Sequence, residues 1–195
     1  GTHNINLVTP THFVPQIRQA LLVKKLPVPV VYNTSGYERV ETLRSLEGLV
    51  DIYLPDYKYD DPALAKALSR AEDYPQRAQA ALAEMVRQVG APVYDGEGLM
   101  TRGVLIRHLI LPGHTRNSIA CLGRIREEFP GIPVSLMAQY TPQPGAEGNL
   151  RRHVTKAEYR AAVAYMENCG ITDGYTQERT SAREEYTPDF DGSGV

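Results

Sequence analysis

The residues best suited to chemistry follow an apolar stretch near the first third of the chain. Asp56 and Lys58 come directly after the run 50–55, which has the composition of a buried β-strand. Side chains alternate between the two faces of a strand, so residues two apart point the same way. A carboxylate and an amine are therefore expected to project together past the strand. Ligands bind at that end of parallel α/β sheets, so the pair predicts a binding or catalytic site.

Other predicted strands also end in polar residues. These are Thr9, Thr11 and His12 after the first strand, Asn33 and Thr34 after the second, and Arg107, His108, Gln139 and Tyr140 on the later ones. A parallel barrel brings such ends together around one mouth. Carboxylates bind hydroxyls or ammonium groups, and Arg or Lys binds carboxylates. The set therefore fits a zwitterionic ligand that bears a ribose.

Each of these residues also has a purely structural interpretation. Asp56 and Lys58 could pair only with each other, and Arg107 could belong to an internal ion pair. His12 could cap the helix that follows it, and Asn33 could fix its turn. The prediction of a site therefore depends on consecutive strands ending in the same way, and not on any one position.

The elements that position these residues alternate between strand and helix. Near-strict alternation implies parallel strands with right-handed crossovers. Five or six units are too few for the usual eightfold closure, so the predicted fold is α/β with an open or partial parallel (β/α) barrel. The barrel domain is expected over residues 1–178, with a C-terminal tail over 179–195. Segment 94–101 predicts a loop, and 103–111 predicts one strand on which His108 faces the helices.

Composition excludes several classes of function. A net charge of -2 gives no electrostatic case for nucleic acid or an anionic membrane, and no apolar run is long enough for a transmembrane helix. Cys121 and Cys169 have no metal-ligand spacing between them, so they predict reduced thiols in a cytoplasmic protein and no metal ligand in this chain. No Ser-His-Asp order, P-loop, GxGxxG or HExxH motif is present.

Four stretches, taken together and in order, carry a resemblance to a known family: VVYNTSGY at 30–37, DIYLPDYK at 51–58, LIRHLILPG at 105–113 and VSLMAQY at 134–140. They resemble the strand ends Asp-Thr-Asn-Gly, Asp-Leu-Lys, Ile-Arg…Val-Pro-Gly and Leu-Pro-Tyr-His of the radical S-adenosylmethionine (radical SAM) enzymes. The resemblance is strongest to the activating enzyme of pyruvate formate-lyase and its uncharacterised iron–sulfur homologues. It covers nearly the whole chain, but only the later part of that family's barrel.

The resemblance implies a role for each strand end. S-adenosylmethionine would be the cofactor, and its binding residues would be Thr9, Thr11, His12, Asn33, Thr34, Asp56, Lys58, Arg107 and Tyr140. Arg107 and Lys58 would also act at the reacting centre. The family's Gly-Gly-Glu has no match unless the segment 10–12 stands in its place, and Asn33 replaces the family's Asp.

The family's Cys-x-x-x-Cys-x-x-Cys loop is absent from this chain. That loop ligates a [4Fe–4S] cluster and would precede Gly1, so the chain is expected to be truncated and inactive alone. The resemblance implies that the intact protein cleaves S-adenosylmethionine reductively, and that a 5′-deoxyadenosyl radical then abstracts a substrate hydrogen. The implied partners are a glycyl radical enzyme or another protein substrate, and an electron donor such as flavodoxin or ferredoxin.

Two alternatives remain open from the residues. One is a lysine-dependent aldolase on a partial barrel, in which Lys58 forms a Schiff base. It needs a lowered Lys58 pKa, and a neighbouring Asp56 would raise that pKa instead. The other is a binding module that has kept the barrel without the chemistry.

Overall fold

The chain forms a mixed α/β structure with mostly parallel strands. The structure, a computed structural model, describes residues 1–171 and 175–177. The strands are β1 Ile5–Val8, β2 Val30–Thr34, β3 Ile52–Pro55, β4 Val93–Tyr94, β5 Met100–Val104, β6 Ile106–Leu109, β7 Val134–Met137 and β8 Tyr175–Gln177. The helices are α1 Val14–Val23, α2 Val40–Arg44, α3 Pro62–Ser69, α4 Tyr74–Val89, α5 Thr115–Glu128 and α6 Lys156–Asn168, with short 3-10 turns at Pro10–Phe13 and Gly148–Arg151.

The strands form two sheets that share one border. One sheet has the order β1-β2-β3-β5-β4 and the other β6-β7-β8, and among the described strands only the pairing of β4 with β5 is antiparallel. Strand β3 pairs with β5 through Ile52 and Gly103, and its extension meets β6 at a parallel bridge between Asp56 and Arg107. The Tyr57 N–H donates to the Arg107 carbonyl at 2.9 Å. The two sheets therefore meet at β3, which pairs with β5 at its start and with β6 just beyond its carboxyl end.

Local sequence signals set several helix boundaries. The Asp61 carboxylate accepts the Ala63 N–H at 2.8 Å and caps α3. Thr155 and Glu158 form a reciprocal capping box at the start of α6. Gly90 ends α4 with a positive φ of 72°. Strand–helix alternation is thus confirmed, and α4 buries a stripe at Ala78, Leu82, Met85 and Val89.

Residues 95–99 of the segment 94–101 form the predicted loop, whereas its two ends belong to strands, and 103–111 is not one strand. Strands β4 and β5 form an antiparallel hairpin, and β5 ends before Leu105, where β6 takes over. The Asp95 carboxylate accepts the N–H groups of Glu97 and Leu99, both at 2.9 Å, and closes the turn. This Asp-based turn, and not the glycine content alone, defines the segment.

The two faces of the sheet have different surroundings. On one face Tyr53 donates to Gln88 of α4 at 2.7 Å, and His108 contacts Ser118 of α5 at 2.9 Å. His108 is fully buried, as predicted. None of the helices in the described ranges has the length and hydropathy that a membrane crossing requires. The expected tail at 179–195, and the domain boundary before it, lie outside the described residues.

His108 predicts a pH dependence of folding stability. Its Nδ1 lies 2.7 Å from the Tyr57 carbonyl and its Nε2 2.9 Å from the Ser118 hydroxyl, so the neutral ring donates from Nδ1 and accepts at Nε2. Burial lowers the His108 pKa below its ordinary value of 6.5, more than the Tyr57 carbonyl and the Asp56 charge raise it. As the pH falls through 6.5, the unfolded chain takes up a proton there that the folded chain does not, so stability is lost.

The measurement is the free energy of unfolding in urea between pH 8 and pH 5. The loss from His108 has a limiting slope of about 1.4 kcal/mol per pH unit between the unfolded and folded pKa values. His108→Gln should flatten this slope, whereas His3→Gln, at an exposed position, should leave it in place. Equal slopes for the wild type and His108→Gln would contradict the assignment.

Candidate functional site

The candidate site lies on the second face of the sheet, at the carboxyl ends of β2, β3 and β6. This face is called the open face below. It carries Asn33, Asp56, Lys58, Arg107, Leu109 and Met137, all half-buried. Register and alternation explain this set. Asp56 pairs with Arg107, Leu109 pairs with Met137, and Asn33 pairs with Leu54, which lies two residues before Asp56.

Asp56, Arg107 and Lys58 form one charged group. The Asp56 Oδ1 accepts from Arg107 Nε at 3.0 Å and from Nη2 at 2.7 Å. The Lys58 Nζ lies 3.7 Å from Oδ2 of the same carboxylate. The prediction that Asp56 and Lys58 project to the same side is thus confirmed, and Arg107 joins them. One carboxylate faces two cations, so the group can receive an anion while Asp56 remains an acceptor.

Tyr74 fixes the backbone that presents this group. Its hydroxyl, which is buried, bonds to the carbonyls of Ser35 and Asp56, both at 2.9 Å, and accepts the Lys58 N–H at 3.0 Å. A Cβ on Gly36 would lie 2.2 Å from the Asp56 carbonyl oxygen, so the turn after β2 packs directly against the end of β3. Nothing in the sequence pattern of α4 distinguishes Tyr74 from an ordinary core aromatic.

Helix α5 holds the continuation of the same segment. The Asn117 side chain donates to the Lys58 carbonyl at 2.9 Å and accepts the Asp60 N–H at 3.1 Å. Arg124 donates to the Asp60 carboxylate at 3.2 Å. The segment from Asp56 to Asp60 is therefore tied to both α4 and α5, which gives the charged group a fixed backbone.

Glu38 is a buried carboxylate that sequence reasoning missed. Its Oε1 accepts the hydroxyls of Thr11 and Thr34, both at 2.6 Å, and of Tyr32 at 3.3 Å. Its Oε2 is buried and has no hydrogen-bond partner among the described residues. Burial and the Glu38 charge raise the Tyr32 pKa. The only available signal was a Glu four residues after Thr34, in a segment that reads as a short helix.

The other predicted binding residues lie apart from the charged group. The hydroxyls of Thr11 and Thr34 both engage Glu38. Thr9 is exposed with φ 51°, a left-handed conformation that is rare for a β-branched residue, and His12 is exposed. The Tyr140 hydroxyl donates to the Leu150 carbonyl at 3.0 Å and anchors the following loop. Of the predicted residues, register thus places Asn33 on the same open face as the group of Asp56, Lys58 and Arg107.

The described residues do not fit an iron–sulfur cluster. No group of three or more His, Cys, Asp or Glu side chains suited to a metal occurs within residues 1–171 and 175–177. Cys121 is buried, and burial raises the pKa of its thiol, which disfavours the thiolate that a metal needs.

Comparison with known proteins yields one informative likeness. No protein-family model matches the chain. The chain is similar to an uncharacterised protein of Methanocaldococcus jannaschii, with 27% identity over 176 residues. The match covers 86% of this chain and 47% of that protein, so the chain spans about half the length of its relative. Since the relative's name states no activity, the geometry of the site carries the functional argument.

Tyr74→Phe tests the support of the site. Removing the hydroxyl leaves the Lys58 N–H and two backbone carbonyls without this buried partner, so the free energy of unfolding should fall by about 1–3 kcal/mol. Tyr37→Phe is the matched control, because the Tyr37 hydroxyl bonds to Asp73 at an exposed position, and its effect should stay within about 0.5 kcal/mol. Urea unfolding monitored by circular dichroism measures both; equal losses would contradict the role given to Tyr74.

Proposed function

We propose that this chain is the later part of a radical SAM barrel, and that its open face holds S-adenosylmethionine. The observation that carries the proposal is the group formed by Asp56, Lys58 and Arg107 at the carboxyl ends of neighbouring parallel strands. Parallel pairing from β1 through β3 to β6, β7 and β8 supports a partial (β/α) barrel as the fold. Helices α4 and α5 bond to the opposite face, as in such barrels.

The donors and acceptors on the open face suit the groups of this cofactor. Arg107 and Lys58 would bind its carboxylate, because both are cations with donors directed to one side. Asp56 and Asn33 would accept from the ribose hydroxyls or the ammonium group. Together with a reduced [4Fe–4S] cluster, bound S-adenosylmethionine would supply a 5′-deoxyadenosyl radical for hydrogen abstraction. The residues of this chain would orient the cofactor and hold its charges.

The cluster and the partners remain part of the proposal. The described residues supply no ligand set for a cluster, so the thiolates would have to come from other residues of the protein. A glycyl radical enzyme or another protein as substrate, and flavodoxin or ferredoxin as electron donor, follow only from the sequence resemblance. Free cysteines at 121 and 169 support a reducing, cytoplasmic compartment.

The aldolase alternative receives less support. A Schiff-base lysine needs an apolar, desolvated setting or a neighbouring cation. The Lys58 side chain is 41% exposed and lies 3.7 Å from the Asp56 carboxylate. The apolar, desolvated setting that a Schiff-base lysine needs is therefore missing.

The test is an assay of 5′-deoxyadenosine with the longer protein that the proposal requires, including residues before Gly1. The protein is reconstituted anaerobically with iron and sulfide, then given dithionite and S-adenosylmethionine. We expect product from the wild type, and a loss of about tenfold or more for Lys58→Ala, since one lost charge-assisted contact is worth that factor. Lys66→Ala, which removes a surface ion pair with Glu72, should leave the rate unchanged.

A folded, reconstituted protein that binds S-adenosylmethionine but releases no 5′-deoxyadenosine would contradict the proposed reaction. Equal rates for Lys58→Ala and Lys66→Ala would contradict the placement of the cofactor on the open face. The two outcomes separate the chemistry from the site.

A further inference from the structure

A pocket of about 240 Å³ opens beside the charged group, between the ends of β3, β6 and β7. Its lining combines three charged residues, Asp56, Lys58 and Arg107, with Tyr59, Leu109, Leu111 and Met137. Alternation along the strand explains part of this lining, because Arg107, Leu109 and Leu111 lie two residues apart and Leu109 pairs with Met137. The three charged residues are called the charged wall below.

The charged wall has donors that the protein does not use. Arg107 bonds to Asp56 through Nε and Nη2, and within the described ranges its Nη1 has no acceptor. The Lys58 Nζ lies 3.7 Å from Asp56, beyond hydrogen-bond distance. Two cations and one carboxylate leave a net charge of +1, and no other acidic side chain in the described part of the chain lines the pocket. The wall therefore favours an anion.

The neighbouring groups restrict the kind of anion. Asp56 already offsets one of the two cations, so a first negative charge on the ligand neutralises the group and a second one would be left without a partner charge. The rest of the lining is aliphatic, thioether or aromatic, and the Tyr59 hydroxyl is already bonded to Ser69 at 2.9 Å, so an apolar chain is favoured over a second polar group. A dianion and a sugar phosphate both fit less well than a single carboxylate joined to an apolar chain.

We propose that this pocket is a subsite for a small monocarboxylate with an apolar chain, bound through Arg107 Nη1 and Lys58 Nζ against Leu109, Leu111 and Met137. The inference goes beyond the proposed function and does not depend on it. Under the proposed function the same two donors would hold the carboxylate of S-adenosylmethionine, so the two ligands would compete for one site. Binding itself needs no cofactor, so it can be tested separately.

The test is an NMR titration of this chain carrying 13C-methyl methionine. The chain has four methionines, at 85, 100, 137 and 166, and Met137 alone lines the pocket. Hexanoate should shift the Met137 methyl signal saturably and leave the buried Met85 and Met166 in place. Each added methylene from butyrate to hexanoate should tighten binding by about fourfold. Hexylamine, hexanol and the dicarboxylate adipate should bind at least about fivefold more weakly than hexanoate.

Variants identify the groups that bind. Lys58→Gln should raise the hexanoate Kd by about fivefold, since it removes a partly exposed charge. Lys66→Gln, at another exposed lysine, should leave it unchanged. Arg107→Lys keeps a cation beside Asp56 and removes Nη1, and should also weaken binding. Comparison of the wild-type spectrum with that of Met137→Leu assigns the Met137 methyl signal, because that signal is missing in the variant.

Several results would overturn the inference: equal affinities for hexanoate and hexylamine, an unchanged Kd in Lys58→Gln, or shifts spread over all four methionines. Saturable hexanoate binding without any 5′-deoxyadenosine from the longer protein would keep the carboxylate site and remove the radical reaction. Release of 5′-deoxyadenosine without hexanoate binding would remove the carboxylate site and keep the radical reaction.

Discussion

The contact between Asp56 and Arg107 is the constraint on which the rest of the site depends. It is made twice, once by the backbone bridge that joins β3 to β6 and once by the two hydrogen bonds from the guanidinium to one carboxylate oxygen. The side chains are 20% and 26% exposed, so solvent screens the ion pair and its own contribution to stability is modest. Its larger effect is geometric. It aligns the ends of two sheets and leaves the second oxygen of Asp56 beside Lys58.

Features that follow from local patterns could be predicted from the sequence. Alternating strands and helices, the cap at Asp61, the capping box at Thr155 and the inward stripe of α4 each depend on residues a few positions apart. The common direction of Asp56 and Lys58 follows from strand alternation alone, and the burial of His108 follows from its place one residue beyond Arg107. These predictions needed no knowledge of which strands are neighbours.

Features that depend on distant parts of the chain could not be predicted in this way. Tyr74 lies 16 residues after Lys58, and Glu38 lies 27 residues after Thr11. Their partners are fixed only once β1, β2 and β3 are in register and α4 has packed on them. The hairpin of β4 and β5 was missed for another reason: Asp95 organises its turn through side-chain bonds that glycine content does not reveal.

The same register brings polar side chains from several strands to one end of the sheet. Thr9 takes a left-handed conformation, at a cost of about 1–3 kcal/mol for strained backbone, while its N–H still donates to the Asn33 carbonyl at 2.9 Å. The chain then turns, and the Thr11 hydroxyl reaches Glu38, which also takes the hydroxyl of Thr34. Hydroxyls that would suit a ligand are thereby engaged inside the fold. The charge at the open strand ends is then set by Asp56, Lys58 and Arg107, as two cations against one carboxylate.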